Sequence, residues 1–356
     1  MTDLTSAGTR SVAAAAGGGT STPPPRVGMQ QVAERAGVAL SSVSRVLSGH
    51  PDVSKVMRNR VLDAVAALGY EPDLLAQSLR RGATMTVGFV VGNIANPLFA
   101  SIALGAELRL RNAGYTMLLA NSIDEPSLDT THIRIFAQRR VDGLLLSITD
   151  ESDPDMRQAL KRAQRPTVLV DRDVPDLHAS AVLTDNAGGI EQAAASLIAL
   201  GHRRIALVNG NPKVRPARER ASGLRRACRR VSGVSAVVRP GAFTTEHGER
   251  ATQALLAEAR PPTAIIAGSN LILVGVLRAL RRAGCSVPGD VSVVTCDDVP
   301  LLDFVQPPLA TISRNHQEMG DVAAELLLEL IAGSAPRTVV LPTEFKSRDS
   351  VAVPRS

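Results

Sequence analysis

The chain has 356 residues, of which 44% are hydrophobic and only 2% aromatic. Because a single hydrophobic core stops growing well below this length, we expect a multidomain globular protein. The formal net charge is +6 and comes mostly from arginine, which suits a phosphate-bearing partner but also an ordinary basic protein.

The cysteines and the hydropathy pattern exclude further classes of protein. Cys228, Cys285 and Cys296 show no C-x-x-C spacing, so we predict neither a disulfide framework nor a metal site, and a reducing cytoplasm fits. No segment approaches the roughly 20 apolar residues that a membrane span requires, so no membrane partner is expected. Residues 1–25 are mostly Ala, Gly, Ser, Thr and Pro without the apolar block of a secretory signal, which predicts a disordered tail.

Residues 26–72 have the pattern of three short helices with tight connections. The first helix is predicted at Met29–Ala36 and ends at Gly37, and the second begins near Leu40. Two helices joined by a short turn that contains glycine form the helix-turn-helix pattern. Ser54 is suited to cap the third helix. The predicted buried stripe of that helix consists of Val61, Leu62, Val65 and Leu68.

Two further segments follow the three helices. Residues 73–82 contain a short helical segment, Asp73 to Arg81, which needs tertiary support because it is shorter than about 12 residues. From Thr86 onward, apolar strand-like runs alternate with amphipathic helices, a pattern that indicates parallel sheets covered by helices. The number of strands favours two doubly wound lobes. The predicted fold is therefore a small all-α helix-turn-helix headpiece followed by an α/β core of two doubly wound lobes.

Several sequence strings carry a resemblance to a known family. VGMQQVAERAGVALSSVSRVLSGHPDVS and RNRVLDAVAALGYEPDLLAQSL closely resemble the headpiece and hinge of the lac-repressor (LacI/GalR) family, and VGFVVGNIANPLF, LGHRRIALVNG and PPLATI resemble its core landmarks. The resemblance implies a transcriptional regulator with a periplasmic-binding-protein-like core at residues 83–356. Its N-lobe would comprise about residues 83–183 and 315–342, and its C-lobe about residues 184–314 and 343–356.

The resemblance also implies which side chains contact DNA. The family places the second helix in the major groove, with base contacts from Leu40 and Ser41 and with Arg45 farther along. The guanidinium of Arg45 has the fork of donors that grips guanine or a phosphate, although an exposed surface arginine is the other interpretation. Side chains suited to phosphate oxygens are expected to set the register, with helix capping or simple exposure as the alternative for each. These are Ser42, Ser44, Ser54 and Asn59.

The hinge and the helix caps show departures from the family pattern. In the resembling hinge helix, at residues 73–82, Leu79 occupies the position of a leucine wedge that enters the minor groove, and Arg80 follows it as a further DNA contact. Asp73 stands where the family usually has Asn, so we expect a capping role. Ala39 and Gly28 replace the usual Ser and Thr at two helix starts, which predicts a less stable headpiece or one that becomes ordered only on the operator.

A ligand site is expected where the strands of both lobes end. Asp171 and Asp297 each end an apolar strand and are expected to accept bonds from ligand hydroxyls, while Arg220, at the head of a helix, donates. Ion pairing of Arg220 near Glu219 and a turn capped by Asp297 are the structural alternatives. By resemblance, the ligand contacts are Asn96, Phe99, Ser147, Asp171, Arg220, Phe243, Ser269, Asp297 and His316.

The ligand class and the switch follow from the same resemblance. We expect a sugar, with Phe243 as a stacking face. His316 occupies a position where an apolar residue is frequent, and together with Arg220 and Arg314 it suggests an anionic sugar as a second hypothesis. Closure of the lobes around the effector would change the spacing of paired hinge helices. Because only eight residues without heptads follow Arg348, a homodimer is expected.

The sequence therefore predicts a cytoplasmic repressor of carbohydrate-related genes that binds double-stranded operator DNA and a sugar-like effector. The alternative is a periplasmic-type solute-binding protein without a regulatory role. An enzyme is a third possibility, because Asp171–Asp173 and Cys296–Asp298 contain paired carboxylates. No motif of a nucleophile elbow, a phosphate-binding loop or a zinc protease accompanies them, so we predict no catalytic activity and no cofactor.

Overall fold

The computed structural model describes residues 27–70 and 82–355. The chain divides into two compact units, Met1–Gln77 and Ser78–Ser356. The predicted tail at residues 1–25 lies outside the described residues, as does most of the predicted hinge helix, including Asp73, Leu79 and Arg80. In the described part of the chain, no helix has both the length and the hydropathy to cross a membrane.

Residues 27–70 of the first unit form the helices α1 (Met29–Ala36), α2 (Leu40–Leu47) and α3 (Lys55–Leu68). The predicted helix-turn-helix is therefore present. Its small core is formed by one fully buried valine from each helix, surrounded by Ala33, Ala36, Val46, Ala64 and Tyr70. These valines are Val32, Val43 and Val61, each with 0% exposure.

The predicted buried stripe of α3 needs one correction. Leu62 is 47% exposed, whereas Val61 and Ala64 are buried. Residues three apart share a helix face, so the face that contains Val61 and Ala64 leaves Leu62 on the solvent side. Val65 and Leu68 are half-buried against the same core.

The turn between α1 and α2 is held by backbone conformation and by one long side chain. Gly37 has a left-handed backbone with φ of 60°, which glycine adopts without the steric cost that other residues meet. Arg60 of α3 donates from Nη2 to the carbonyl oxygen of Ala36 at 2.6 Å. The terminal carbonyl of α1 is thereby satisfied by a side chain 24 residues later.

The three headpiece helices differ in their N-terminal caps. The Oγ of Ser54 accepts from the amide of Met57 at 3.3 Å, so the predicted cap of α3 is confirmed. Ala39 precedes α2 in an extended conformation and offers no side-chain cap. At the start of α1, the Gly28 amide donates to the side chain of Gln31, which compensates in part for the missing hydroxyl.

Restoring the cap of α2 should stabilise it. We expect Ala39→Ser to add about 1 kcal/mol to helix stability, because a hydroxyl at this position accepts from a first-turn amide. Hydrogen exchange of the α2 amides in the full chain would then slow roughly fivefold. Ala66→Ser, an exposed site inside α3, makes the same chemical change without a cap and should give no gain. Equal protection in both variants would contradict the capping argument.

The second unit contains two six-stranded sheets. The N-lobe sheet has the strand order β11-β5-β4-β3-β1-β2 with all pairs parallel. Its strands are β1 (Thr86–Val91), β2 (Thr116–Asn121), β3 (Gly143–Leu146), β4 (Thr167–Val170), β5 (Ser180–Thr184) and β11 (Thr338–Leu341). The C-lobe sheet has the order β12-β10-β9-β8-β6-β7, in which only β12 is antiparallel to its neighbour. Its strands are β6 (Arg204–Val208), β7 (Ser235–Arg239), β8 (Ala264–Ala267), β9 (Ser292–Cys296), β10 (Ala310–Ser313) and β12 (Glu344–Lys346).

Helices cover both sheets, as the predicted doubly wound fold requires. They are α4 (Pro97–Asn112), α5 (Pro126–Gln138), α6 (Pro154–Ala163), α7 (Asn186–Ala199), α8 (Arg215–Arg229), α9 (Thr245–Leu256), α10 (Asn270–Arg282) and α11 (His316–Ile331). A 3-10 helix at Pro300–Phe304 follows β9. The first three of these α-helices begin with proline, whose fixed φ suits the first helical position and whose missing N–H would have had no partner there.

Some elements differ from the sequence-based expectation. Helix α6 and strands β5, β10, β11 and β12 were not predicted, although Asp153 and Pro154 form a cap and start signal for α6. Helix α6 has few apolar residues. Helices α7, α8 and α9 begin two to four residues earlier than predicted, because apolar spacing does not mark the exact end of a helix.

The chain crosses between the lobes three times, after β5, after β10 and after β11. After the second crossing, α11 packs on α4 of the N-lobe. Gly105 and Gly320 lie at this contact, where a Cβ on either would collide with the backbone of the opposite helix at Gln317 or Ile102. The carboxyl ends of β3, β4, β6, β8 and β9 point into the space between the lobes, where the candidate site lies.

Candidate DNA-binding and effector sites

Helix α2 has one buried face and one exposed face. Val43 and Val46 are buried in the headpiece core, whereas Leu40, Ser41 and Arg45 are exposed. Leu40 is 49% exposed although it is apolar and begins the helix. An exposed leucine beside an exposed arginine is expected of a surface that contacts base edges, where thymine offers a methyl group and guanine two acceptors.

The predicted phosphate contacts occupy two environments. Ser42 and Ser44 are half-buried on α2, while Ser54 and Asn59 are exposed on or before α3. The hydroxyl of Ser54 already accepts the capping bond, so only its hydrogen is available to a phosphate oxygen.

The sequence interpretation did not include two cations beside these residues. Lys55 is exposed at the first position of α3, where the helix dipole disfavours a positive charge unless an anion is near. Arg58 lies one turn later and donates from Nη2 to the carbonyl oxygen of His50 at 3.3 Å. A basic residue directly after a capping serine was the available signal for Lys55.

A cavity that is partly open to solvent lies between the lobes, a position typical of small-molecule sites. Eight of the nine predicted ligand contacts line it. They are Asn96, Phe99, Ser147, Asp171, Arg220, Phe243, Ser269 and Asp297. The lining also includes residues that were not predicted as ligand contacts, among them Asn93, Asp124, Arg172, Leu271 and Arg314.

The ninth residue, His316, is absent from the lining of this cavity. It is the first residue of α11 and is 8% exposed. Its Nε2 lies 3.2 Å from Oδ1 of Asp297, so it contacts the carboxylate without lining the cavity itself. The structure therefore places His316 beside a predicted ligand contact.

Arg314 joins the carboxylates of the two lobes. Its Nη1 donates to Oδ2 of Asp171 at 2.5 Å, and its Nε donates to Oδ1 of Asp297 at 2.9 Å. Nη1 also donates to the hydroxyl of Thr184 at 3.1 Å. The side chain of Arg314 is only 7% exposed, so these bonds replace most of its hydration.

This arrangement fixes the charge of all three groups. Burial alone would raise the pKa of Asp297, but Arg314 and then His316 outweigh it and hold the pKa far below its usual range. Burial opposes ionisation of Asp171 in the same way, and Arg314 followed by Arg172 and Arg220 lowers that pKa. The pKa of Arg314 is raised despite burial, because both carboxylates stabilise its charge.

Asp171 and Asp297 share a backbone feature. Each directly follows a buried strand and has a positive φ, 52° for Asp171 and 73° for Asp297. Such a conformation is uncommon for residues other than glycine and occurs more often at functional sites. It turns the carboxylate of each strand end toward the space between the lobes.

The protein itself uses most of the acceptor capacity of Asp171. Oδ1 accepts from the amide of Thr184 at 3.2 Å and from Nδ2 of Asn186 at 3.4 Å, while Oδ2 accepts from Arg314. These bonds leave Asp171 less capacity than Asp297 to accept from ligand hydroxyls. Asp297 keeps Oδ2 available and is the better hydroxyl acceptor.

Arg220 lies in the second turn of α8 and not at its head, as had been expected. Its side chain is buried, and the whole residue is 3% exposed. Nη1 donates to the carbonyl oxygen of Gly268 at 2.7 Å, which orients the guanidinium along the cavity wall. The remaining N–H groups are available to oxygens of a ligand.

Arg172 is a second buried guanidinium that the sequence interpretation missed. Its Nε donates to the carbonyl oxygen of Ile148, and its Nη1 donates to that of Asp171 at 2.9 Å. Burial lowers its pKa. The cavity lining thus contains three guanidiniums and three carboxylates, whose formal charges cancel. They are Arg172, Arg220 and Arg314, with Asp124, Asp171 and Asp297.

Several predicted ligand contacts also hold the protein backbone or the lobes together. Oδ1 of Asn96 caps α4 through the amide of Leu98 at 3.1 Å and accepts from Nδ2 of Asn270 in the C-lobe at 2.9 Å. Oγ of Ser269 accepts from the amide of Ile272 at the start of α10. Phe243 packs against Gly210, where any Cβ would collide with the ring. Phe243 and Phe99 supply aromatic surface to the cavity.

Two family models match the sequence. The model for bacterial regulatory proteins of the lacI family matches residues 28–73, and the model for a periplasmic binding protein-like domain matches residues 194–351. The ribose operon repressor of Haemophilus influenzae is 32% identical over 331 residues, which cover 91% of this chain and 98% of that protein. The chain belongs to the LacI family of bacterial regulatory proteins.

Other LacI-family comparisons agree in coverage. The transcriptional regulator MalR of Streptomyces coelicolor is 33% identical over 336 residues, which cover 91% of this chain and 96% of that protein. The structure of the transcriptional regulator CelR in complex with cellobiose has 34% identity and a TM-score of 0.69, and it covers 91% of this chain and 100% of that chain. The prediction of a LacI-family transcriptional regulator is thus confirmed, and a solute-binding protein without a headpiece is disfavoured.

Proposed function

We propose that the chain is a dimeric cytoplasmic repressor of carbohydrate-related genes, whose headpiece binds double-stranded operator DNA and whose lobes enclose a sugar. The observation that carries this proposal is the cavity lined by buried, charged hydrogen-bonding groups in a chain that also has a helix-turn-helix. Leu40, Ser41 and Arg45 are proposed as base contacts. Ser42, Ser44, Ser54 and Asn59 are proposed as phosphate contacts, and Leu79 and Arg80 as hinge contacts.

We further propose a neutral sugar as the effector. The anionic hypothesis depended on His316 together with Arg220 and Arg314. Arg314 and His316 are both directed at Asp297, which leaves Arg220 as the one cation of the three that is not committed to that carboxylate. Because the charges of the cavity lining cancel, a ligand that brings its own net charge would be buried without a matching partner. A neutral polyhydroxylated ligand needs hydrogen-bond donors, acceptors and aromatic surface. Arg220 supplies a donor, Asp297 supplies an acceptor, and the rings of Phe99 and Phe243 supply the aromatic surface. Among the relatives, one is named a ribose operon repressor and one structure contains cellobiose.

A binding role is favoured over a catalytic one by the protonation of the carboxylates. A general acid or base works best with a pKa near the operating pH. The pKa values of Asp171 and Asp297 are instead held low, so both remain ionised at neutral pH. Within residues 27–70 and 82–355, no group of three or more His, Cys, Asp or Glu side chains is arranged to hold a metal ion.

Calorimetric titration of the full chain tests the effector class. D-ribose and cellobiose represent neutral sugars, and gluconate and ribose 5-phosphate represent anionic ones. We expect binding of a neutral sugar, and we expect Arg220→Gln to weaken it roughly 10- to 100-fold, because a charged hydrogen bond in a buried site is lost. Arg225→Gln, at an exposed position on the same helix, is the matched control and should bind as the wild type does.

The same samples test the regulatory role. A duplex that the wild-type chain selects from a randomised library serves as the DNA probe, and the bound sugar should change its affinity. Tighter binding of either anionic ligand would overturn the neutral-sugar proposal. Failure to select any duplex would contradict the repressor function itself.

A further inference from the structure

A second set of charged contacts joins the lobes outside the ligand cavity. Asp150 and Glu151 lie in the loop after β3 of the N-lobe, and Lys213, Arg215 and Arg218 lie in the loop after β6 and the start of α8 in the C-lobe. We call these five residues the clasp. Asp150, Glu151, Lys213, Arg215 and Arg218 do not belong to the cavity lining.

The clasp contains two ion pairs between lobes. Nζ of Lys213 lies 2.6 Å from Oδ2 of Asp150, and Nη2 of Arg218 lies 2.5 Å from Oε2 of Glu151. Two hydrogen bonds run alongside them: the Glu151 amide donates to the Lys213 carbonyl oxygen at 3.2 Å, and the Arg215 amide donates to the side-chain Oε1 of Glu151 at 2.8 Å. Two ion pairs and two hydrogen bonds thus hold the two loops against each other.

Burial makes the clasp sensitive to the separation of the lobes. The side chain of Glu151 is 4% exposed and that of Asp150 is 7% exposed, whereas Lys213 and Arg218 are 58% and 47% exposed. Separation would take away the bonds to Glu151 from Arg215 and Arg218 and leave the bond from the Asp173 amide of its own lobe, at 3.1 Å. A buried carboxylate that loses its partners must regain water or a proton, so the contact favours the closed arrangement.

We propose that the clasp sets the resting balance between closed and open lobes, independently of any contact with the effector. The apparent affinity of a ligand falls with the fraction of protein in the binding-competent arrangement. A charge pair outside the cavity lining therefore adjusts the sensitivity of the switch without changing its ligand specificity. The predicted effect on effector affinity rests on the proposed sugar function, whereas the balance between closed and open lobes does not.

Hydrogen exchange of the full chain without any ligand tests the balance. We expect Glu151→Gln and Arg218→Gln each to raise exchange of residues 148–153 and 213–218 three- to tenfold, because the lobes separate more often. The double variant should exchange no faster than the single variants, since both remove the same pair. Arg225→Gln on the same helix removes an exposed charge outside the clasp and should leave exchange unchanged.

Lys213→Gln provides a milder variant if loss of the Glu151 pair lowers the yield of folded protein, because the Lys213 ammonium is largely exposed. For Lys213→Gln we expect a rise in exchange about half as large, on a logarithmic scale, as for Glu151→Gln or Arg218→Gln. In the wild type, 1 M salt should raise exchange in the same segments, because it screens the exposed cations. Unchanged exchange in all three single variants, or strictly additive effects of Glu151→Gln and Arg218→Gln, would overturn the proposal. These readouts contain no sugar, so failure of the effector proposal would leave them unaffected.

Discussion

Replacing Arg45 with alanine is expected to weaken operator binding about 100-fold or more. A bidentate contact to a base contributes about 1–3 kcal/mol, and a dimer loses two of them. The exposed guanidinium on the outer face of α2 makes Arg45 the strongest candidate for such a contact. Fluorescence anisotropy with the library-selected duplex, at one stated salt concentration, measures the loss.

Arg35→Ala is the matched control for this experiment. Arg35 is an exposed arginine in the last turn of α1, so its removal changes the net charge equally. A purely electrostatic role for Arg45 would make the two variants equivalent. We expect Arg35→Ala to cost less than about tenfold, and equal affinities of the two variants would eliminate Arg45 as a base contact.

Replacing Arg314 with glutamine is expected to destabilise the core by about 3–5 kcal/mol. The substitution leaves the buried carboxylates of Asp171 and Asp297 without their main counter-charge. Chemical denaturation at pH 7 measures the free energy of unfolding. Arg109→Gln breaks a partly exposed ion pair with Asp321 and provides the control, with an expected cost below about 1 kcal/mol.

The pH dependence of Arg314→Gln should be opposite in sign to that of the wild type. In the wild type the folded-state pKa values of Asp171 and Asp297 are lowered, so their contribution is complete above about pH 4 and is lost as the pH falls further. Without Arg314, burial dominates and raises both pKa values, so protonation stabilises the folded state. The variant should therefore recover stability between pH 7 and pH 5, and Arg314→Lys should restore the wild-type trend. A variant that loses stability over this range would refute the charge-bridge interpretation.

The headpiece could be predicted closely because its signals are local. Gly37, the apolar spacing in α2 and the cap at Ser54 lie within or beside the helices that they define. The exception, Leu62, is adjacent to the buried face of α3, and only the packing of α1 and α2 decides which neighbouring residue is covered. Local patterns therefore gave the helices but not every buried side chain.

The effector cavity was predictable in its position and less so in its chemistry. Strand ends followed by Asp171 and Asp297 indicated where polar groups would converge, and both line the cavity. The partner of Asp171 is 143 residues away in the sequence, and no spacing rule connects the two. The commitment of Arg314 and His316 to Asp297, and the exclusion of His316 from the lining, followed only from the three-dimensional arrangement.

The three crossings between the lobes have a consequence for recombination of this protein with its relatives. Neither lobe corresponds to one uninterrupted segment, because α11 and β11 complete the N-lobe long after β5 has left it. A single crossover within the core would therefore combine part of a lobe from this protein with the remaining part of that lobe from a relative. The headpiece helices form one uninterrupted segment, Met29–Leu68, so the proposed base and phosphate contacts within it can be exchanged together as a module. Effector specificity must be inherited with the whole core.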